Sequence, residues 1–394
     1  MLEVALPLDG IRVIDLTSVV MGPVATQLLA DQGADVVVVE DRRGDTNRSM
    51  GVGGHRELSG VAINLLRNKR SLGLDIKSEA GYAALGRLVA TADIVITNLR
   101  PGSRERAGLT YERLSALRPG LIFCAAAGYP VDHALADAPA YDDIIQAATG
   151  VVDLNLKIGL PPVLMPTLVA DKSAGLVIAN AVLAALVRRE RTGEGSDLTV
   201  AMTEVMRAYL LVEHGANAIA EPPLGPAGYQ RILNADRRAQ PTADGMISVL
   251  PYDEHHYETI FRLGGREDLL DDPRVATRRS RIENGPSLYQ EVAAILRQRT
   301  TGEWLELLRA AGIPVAEVGT IDQMVADLPL AEHPHAGTYR VTPPLTGEAA
   351  DAGIIRRHAP LQGEHNREVL REVGYSDDEL ELLERDGILF RGPA

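Results

Sequence analysis

Apolar residues recur along the chain in short runs separated by helical periods. Ile11–Leu16 (IRVIDL), Val36–Glu40 (VVVVE), Leu72–Ile76, Ile94–Thr97 and Leu121–Ala126 are continuous apolar stretches, the pattern of strands covered on both faces. Ala25–Gln32 (ATQLLADQ) reads as a short amphipathic helix stopped at Gly33, after a loop over Thr17–Pro23. Glu79–Thr91 is a further helix, and two short helices surround Tyr111–Leu117. Strand, helix and strand in such quick succession make a βαβ unit with a parallel pair. Repeated over the first 150 residues, these units predict an α/β fold with a doubly wound, Rossmann-type domain.

The longest apolar element follows. Between Ala174 and Val187 only Asn180 is strongly polar, so a helix from about Lys172 to Arg189 is expected to be buried on every side. Its fourteen-residue apolar run is shorter than a bilayer span. Arg188, Arg189 and Arg191 suit the negative end of its dipole, and Thr192-Gly193 ends it. Alternation at Leu198, Val200 and Met202 then reads as an internal strand. Asp171 stands at the mouth of the helix. One reading makes it the N-cap, accepting an amide hydrogen bond from Ser173 or Ala174. The other makes it a nucleophile, a carboxylate held ionised by the helix N-terminus. The two are compatible.

From Met206 to Gln240 the periodicity fades and Pro and Gly accumulate (EPPLGPAGYQ), as in a linker. A smaller α/β unit is expected next: strand Met246–Leu250, helices Glu254–Leu263 and Glu303–Ala311, strand Val315–Val318. A strand-like segment after His333-Pro334-His335 and helices near Asn366–Val373 and Asp377–Arg385 close the chain. The expected domains are 1–205, a linker over 206–240, a small domain over 241–330, and a final segment over 331–394.

Composition narrows the chemistry. A net charge of −14 argues against general nucleic-acid or acidic-membrane binding, so an anionic ligand must meet a local basic cluster. Three such clusters border predicted strands: Arg42, Arg43 and Arg48; Arg67, Lys69 and Arg70; Arg100, Arg104 and Arg106. At strand ends of a parallel sheet they suggest a phosphate-rich ligand. A nicotinamide site is not expected, because the first turn, TSVVMGP, lacks G-x-G-x-x-G, although Glu40 ends the second strand. The single Cys124 excludes a disulfide framework and reads as a buried hydrophobe. His255/His256 and His333/His335 lack partners at ligand spacing, so they read as surface histidines and no metal is expected. MLEVALPLDG lacks a basic n-region and a long apolar run, which makes the cytoplasm the expected location.

Several stretches together, PLDGIRVIDLT, MGP, QGADVVVVE, NKRSLGLDIK, ADIVITNLRPG, AYDDIIQAATG, ADKSAG, RTGEGSDLTVAM and APLQGEHNREVL, resemble the class III CoA-transferases over nearly the whole chain. That group includes formyl-CoA and carnitine CoA-transferases and shares its fold with α-methylacyl-CoA racemase. The resemblance implies a large Rossmann-type domain, a small domain, a C-terminal segment returning to the large one, and an interlocked homodimer. It implies CoA and acyl-CoA as substrates rather than a resident cofactor, with CoA on the large domain and the small domain closing over the acyl group. Its catalytic aspartate falls on Asp171, which attacks the thioester to give an anhydride and then an aspartyl-CoA thioester.

Motif matching carries CoA contacts onto Leu74, Asn98, Leu99, Ser103 and Arg106. The basic position after the second strand reads Asp41, so its work is expected of the adjacent Arg42. Val20 stands where formyl-CoA transferase has an active-site glutamine, and Ala127 and Pro139 where it has lysines. The glycine-rich loop of the oxalate-specific branch is also missing: the residues before Gly245 are RRAQPTAD. These departures point away from formate or oxalate and toward a larger or less polar acyl group. A racemase has His in the frame H-D-x-x-x-x-A-x-x-G; here Tyr141-Asp142 stand there, with Ala147 and Gly150. Tyrosine, with a pKa near 10, is a poor α-proton base. Tyr141 is therefore expected in the substrate site of a transferase, or else as a half-buried helix residue. The alternatives are a racemase using His133 and an inactive acyl-CoA-binding protein.

Overall fold

The computed structural model describes residues 6–344 and 355–392. Residues 1–5 of the N-terminal stretch, and 345–354 and 393–394 of the expected C-terminal segment, lie outside the described residues. The chain divides into two compact units. The first comprises residues 1–149, 165–209 and 328–394, and the second 150–164 and 210–327.

A six-stranded parallel sheet forms the first unit. Its strands are β1 Arg12–Leu16, β2 Asp35–Glu40, β3 Lys69–Gly73, β4 Ile94–Thr97, β5 Ile122–Ala127 and β6 Ser196–Ala201, in the order β3-β2-β1-β4-β5-β6. The direction of winding reverses between β1 and β4, so the loops leaving these two strands diverge and open a crevice. Helices α1 (Met21–Asp31), α2 (Gly60–Leu66), α3 (Glu79–Val89), α4 (Pro101–Arg106) and α5 (Tyr111–Leu117) connect the first five strands. The sheet is not complete within the first 150 residues. Its sixth strand follows a crossover through α6 (Asp142–Ala148), α7 (Val151–Lys157) and α8 (Val169–Thr192).

Three local differences have physical causes. α1 begins at Met21, four residues before the expected start, with Pro23 in its first turn, where an amide has no intrahelical acceptor to lose. β3 begins at Lys69 rather than Leu72: Lys69, Arg70 and Ser71 are polar yet buried, because each finds a partner inside the fold. α8 is buried on one face only. Asp171, Ala174, Gly175, Ile178, Ala179, Val182, Ala185 and Leu186 face inward, while Leu176 and Val187 are 49% and 52% exposed. Its 24 residues make it, among the described residues, the one helix long and apolar enough to cross a membrane, longer than the apolar run suggested.

α9 (Met202–His214) runs into the stretch expected to be linker. In the second unit β7 (Gln240–Pro241), β8 (Met246–Val249) and β9 (Val315–Glu317) make a small antiparallel sheet. Helices α10 (Glu254–Leu263), α11 (Arg278–Glu283), α12 (Gly285–Leu296), α13 (Thr301–Ala310) and α14 (Ile321–Ala326) complete it. Trp304, Phe261, Ile247 and Leu308 centre its core, and the Trp304 indole N–H donates to the Leu296 carbonyl at 2.7 Å. The last stretch rejoins the first unit as a hairpin, β10 (Leu330–His333) and β11 (Gly337–Arg340), followed by α15 (Asn366–Glu372) and α16 (Asp377–Arg385). Val369, Leu370, Leu380 and Leu383 pack into the same core as Val37, Leu72 and Leu85. Cys124 is buried, its thiol pushed up to about 12 by burial and then by Asp197, which disfavours the reactive thiolate.

Candidate active site

The crevice at the carboxyl ends of β1, β4 and β5 is a cleft with about 1090 Å³ of atom-free space, wholly within the first unit. The loop after β1 forms one side. The Ser18 amide donates to Asn98 Oδ1 at 3.1 Å, and Asn98 Nδ2 returns a bond to the Ser18 carbonyl at 2.8 Å. The Val19 amide donates to Asp45 Oδ1 at 2.9 Å. Val19 has φ of +73°, a left-handed conformation strained for a β-branched residue, and these two tethers impose it. Burial pushes the Asp45 carboxyl up to about 6, against hydrogen bonds from the Asn47 and Val19 amides.

Asp171 lines the same cleft. It is the third residue of α8, not its N-cap; Leu168 holds that place and offers no side-chain cap. Asp142 caps the helix from outside: its Oδ1 accepts the amides of Ala170 at 2.7 Å and Asp171 at 3.0 Å. Gln146, one turn further along α6, holds the other Asp142 oxygen at 2.5 Å, and its own Oε1 accepts the Met165 amide at 2.8 Å. The Asp171 carboxylate itself forms no hydrogen bond or ion pair among the described residues. Burial, and then the charge of Asp142, push its pKa up to about 6. The shift is opposite to that expected of a carboxylate capping a helix. A pKa near 6 leaves it mainly ionised at neutral pH, in a more basic form than an ordinary aspartate.

Of the residues singled out from the sequence, Asp171, Tyr141, Asn98, Leu99 and Ser103 line this cleft. Ala127 and Pro139 line it as well. Tyr141 is 63% exposed at the N-cap of α6, not half-buried within a helix. Val20, Leu74, Arg42 and Arg106 are not brought to the cleft wall. Val20 is buried between two residues that do line it, and its carbonyl accepts the Val24 amide in the first turn of α1. Leu74 is buried and bridges to Leu389. The Arg42 guanidinium lies over the Phe390 ring at 4.8 Å and donates to the Gly387 carbonyl. Arg106 bonds Ser103 Oγ at 3.1 Å. Asp142 is the residue that sequence reasoning passed over. Its signal was in the same tyrosine-aspartate frame, where attention fell on the tyrosine.

Four of the nine basic residues expected near phosphates serve the fold instead. Arg48 pairs with Glu40 at 2.6 Å, Arg67 with Asp31 at 2.7 Å, Lys69 with Asp15 at 3.3 Å and Arg70 with Asp35 at 2.6 Å. All four are buried, and a buried charge requires such a partner. His133 is stacked on Tyr129 at 5.0 Å outside the cleft lining, and its Nδ1 accepts the Leu135 amide. His333 is not a surface residue. It is buried, with Nε2 on the Ala359 carbonyl at 2.8 Å and Nδ1 accepting the amides of His335 and Ala336. Burial, with His358 and His335 nearby, holds its pKa below the usual histidine range.

The family profile described as CoA-transferase family III matches residues 8–366. The chain is similar to the probable fatty acyl-CoA transferase Rv3272 of Mycobacterium tuberculosis, with 32% identity over 92% of this chain and 97% of the relative. It is equally similar, at 32% identity, to the formyl-CoA:oxalate CoA-transferase of Streptomyces avermitilis, over 97% of this chain and 99% of the other. Among solved structures, a CAIB/BAIF family protein from Brucella suis superposes with a TM-score of 0.78 at 28% identity, covering 94% of this chain and 100% of that one.

Proposed function

The chain belongs to CoA-transferase family III, and from that membership we propose that it moves CoA from an acyl-CoA thioester to a carboxylic acid with Asp171 as the nucleophile. The observation that carries the reading is the Asp171 carboxylate, without a hydrogen-bond or ion-pair partner among the described residues, on the wall of a cleft at the switch point of the sheet. Asp171 Oδ attacks the thioester carbonyl, the C–S bond breaks, and CoA thiolate leaves an aspartyl anhydride. The thiolate then attacks the aspartyl carbonyl, releasing the first acid and forming an aspartyl-CoA thioester. The acceptor carboxylate displaces the thiolate to give a second anhydride. Attack of the thiolate on the acceptor's acyl carbon releases the new thioester and restores Asp171. Covalent catalysis divides a difficult exchange between two acids into easier steps.

Asn98, Leu99 and Ser103, on the cleft wall, are the CoA contacts we retain, with Arg42, Leu74 and Arg106 as outlying ones. Small apolar residues, Ala126, Ala127, Ala138, Pro139 and Ala140, line part of the cleft. The absence of a charge at Ala127 and Pro139 supports an acyl group larger or less polar than formyl or oxalyl. Tyr141 supports a transferase over a racemase, as does the engagement of His133 outside the cleft lining. The exposed apolar face of α8, Leu176, Val177 and Val187, supports a homodimer. A cytoplasmic location completes the reading.

Incubation with a panel of acyl-CoA thioesters, hydroxylamine trapping and peptide mass spectrometry test it. An adduct confined to the peptide carrying Asp171, absent in Asp171→Asn, is the expected result, and the best-trapping thioester names the donor. No adduct, with exchange of the α-proton into deuterated water, would replace the transferase by a racemase.

A further inference from the structure

A second cleft, with about 620 Å³ of atom-free space, lies entirely within the second unit. Three arginines line it, Arg231, Arg278 and Arg281, against one carboxylate, Asp253. Asp253 is already committed, since it caps α10 by accepting the His256 amide at 3.0 Å. None of the three arginines has a carboxylate partner among the described residues, whereas Arg266, Arg274 and Arg279 of the same unit are all ion-paired. Arg281 gives one N–H to the Val275 carbonyl at 2.6 Å, and Arg231 lies over the Tyr252 ring at 4.3 Å.

Two buried phenols, Tyr257 and Tyr289, line the same cleft, and Arg237 also hydrogen-bonds the Tyr289 side chain. Burial keeps each phenol above its ordinary pKa, so each remains a neutral hydroxyl. The twelve-residue helix α12 begins at Gly285 on the same wall, and its N-cap Asn284 gives no side-chain cap, donating instead to the Ser280 carbonyl. Guanidinium forks, neutral hydroxyls and the positive end of a helix all favour oxygen atoms bearing negative charge.

We propose that this cleft is a binding site for a small oxyanion, a carboxylate or phosphate group, separate from the Asp171 cleft. It does not depend on the transferase reading, because its residues belong to the other unit and no acyl transfer is required of them.

Equilibrium dialysis of the full-length protein tests this, with radiolabelled inorganic phosphate and, separately, radiolabelled succinate. One saturable anion per chain is expected for at least one probe. Arg231→Ala and Arg278→Ala should each weaken it about tenfold, the loss of one charge-assisted hydrogen bond, while Asn98→Ala in the other cleft leaves it unchanged. Phosphate alone names a phosphoryl ligand, succinate alone a carboxylate ligand, and both a general oxyanion site; all three support the proposal. Arg278 is exposed, so its variant keeps the test valid if Arg231→Ala unfolds. Failure of both probes to saturate, or binding indifferent to both arginine variants in folded protein, overturns it.

Discussion

The carboxylate of Asp142 accepts the backbone amide of Asp171 at 3.0 Å, so one acid both fixes the position of the other and raises its basicity. The two effects are separable. Asn at position 142 keeps an oxygen to cap α8 but removes the charge. Its NH2 would, however, face the Gln146 Nε2 donor, so Asp142→Asn should fold at a cost of about 1–3 kcal/mol and move the acid limb of kcat/KM below the value near 6 set by Asp171. Asp142→Ala should in addition lose about 1 kcal/mol of stability, as N-cap deletions do. A pH–rate profile and a thermal melt of each variant distinguish charge from cap.

Asp171 should cost the fold stability at neutral pH. Its pKa is near 6 in the folded protein against 3.8 for an unperturbed aspartate. Between those values the native state holds a proton that the unfolded chain has released, so stability falls as pH rises through this window. Asp171→Asn should be more stable than the parent at pH 7 by about 1–3 kcal/mol, with the gain fading toward pH 4. Denaturant melts at pH 4, 5.5 and 7 measure it; an equal difference at all three would show that ionisation is not the cause.

Gly175 lies one turn beyond Asp171 on the buried face of α8. A Cβ there would stand 2.8 Å from the Met21 carbonyl oxygen and equally close to Val24 of α1. Gly175→Val should push the helices apart, costing about 2 kcal/mol by overpacking. It should also lower kcat/KM by displacing the nucleophile. Melting temperature and initial rates report both.

Lys69 is fully buried, bonded to Asp15, to Thr26 Oγ1 at 2.7 Å and to the Pro23 carbonyl at 3.1 Å. Lys69→Ala strands a buried carboxylate and should cost about 3–5 kcal/mol. Arg106→Ala removes an exposed side chain and should be nearly neutral for folding, with any loss confined to CoA affinity. Paired unfolding and CoA-binding titrations assign each basic residue to structure or ligand.

His333 should make the first unit acid-sensitive. Both its ring nitrogens are committed in the neutral form, and its pKa is depressed, so the unfolded chain takes up the proton first. Stability should fall as pH drops below about 6.5. His333→Asn should be less stable at pH 7.5 but show a flatter decline toward pH 5.5 in thermal melts.

Much of this was determined by the sequence itself. The six central strands, β3 with a displaced start, and most of the helices between them follow from the apolar pattern, because each strand must be covered by its own chain; α2, α6 and α7 do not. The candidate nucleophile is legible for a similar local reason: Asp171 directly precedes an apolar run, and the motifs around it are contiguous. What only tertiary structure decided concerns residues whose partners are distant in the chain. Lys69 and Arg70 look like ligand-binding cations until β3 brings them beside Asp15 and Asp35. Asp171 looks like an N-cap until Asp142, 29 residues earlier, takes that task and raises its pKa. The helix that reads as apolar all round buries a single face, since burial depends on what packs against a helix and not on its composition. The arginines around Tyr257 are scattered from 231 to 281, and no local pattern in the sequence brings them together.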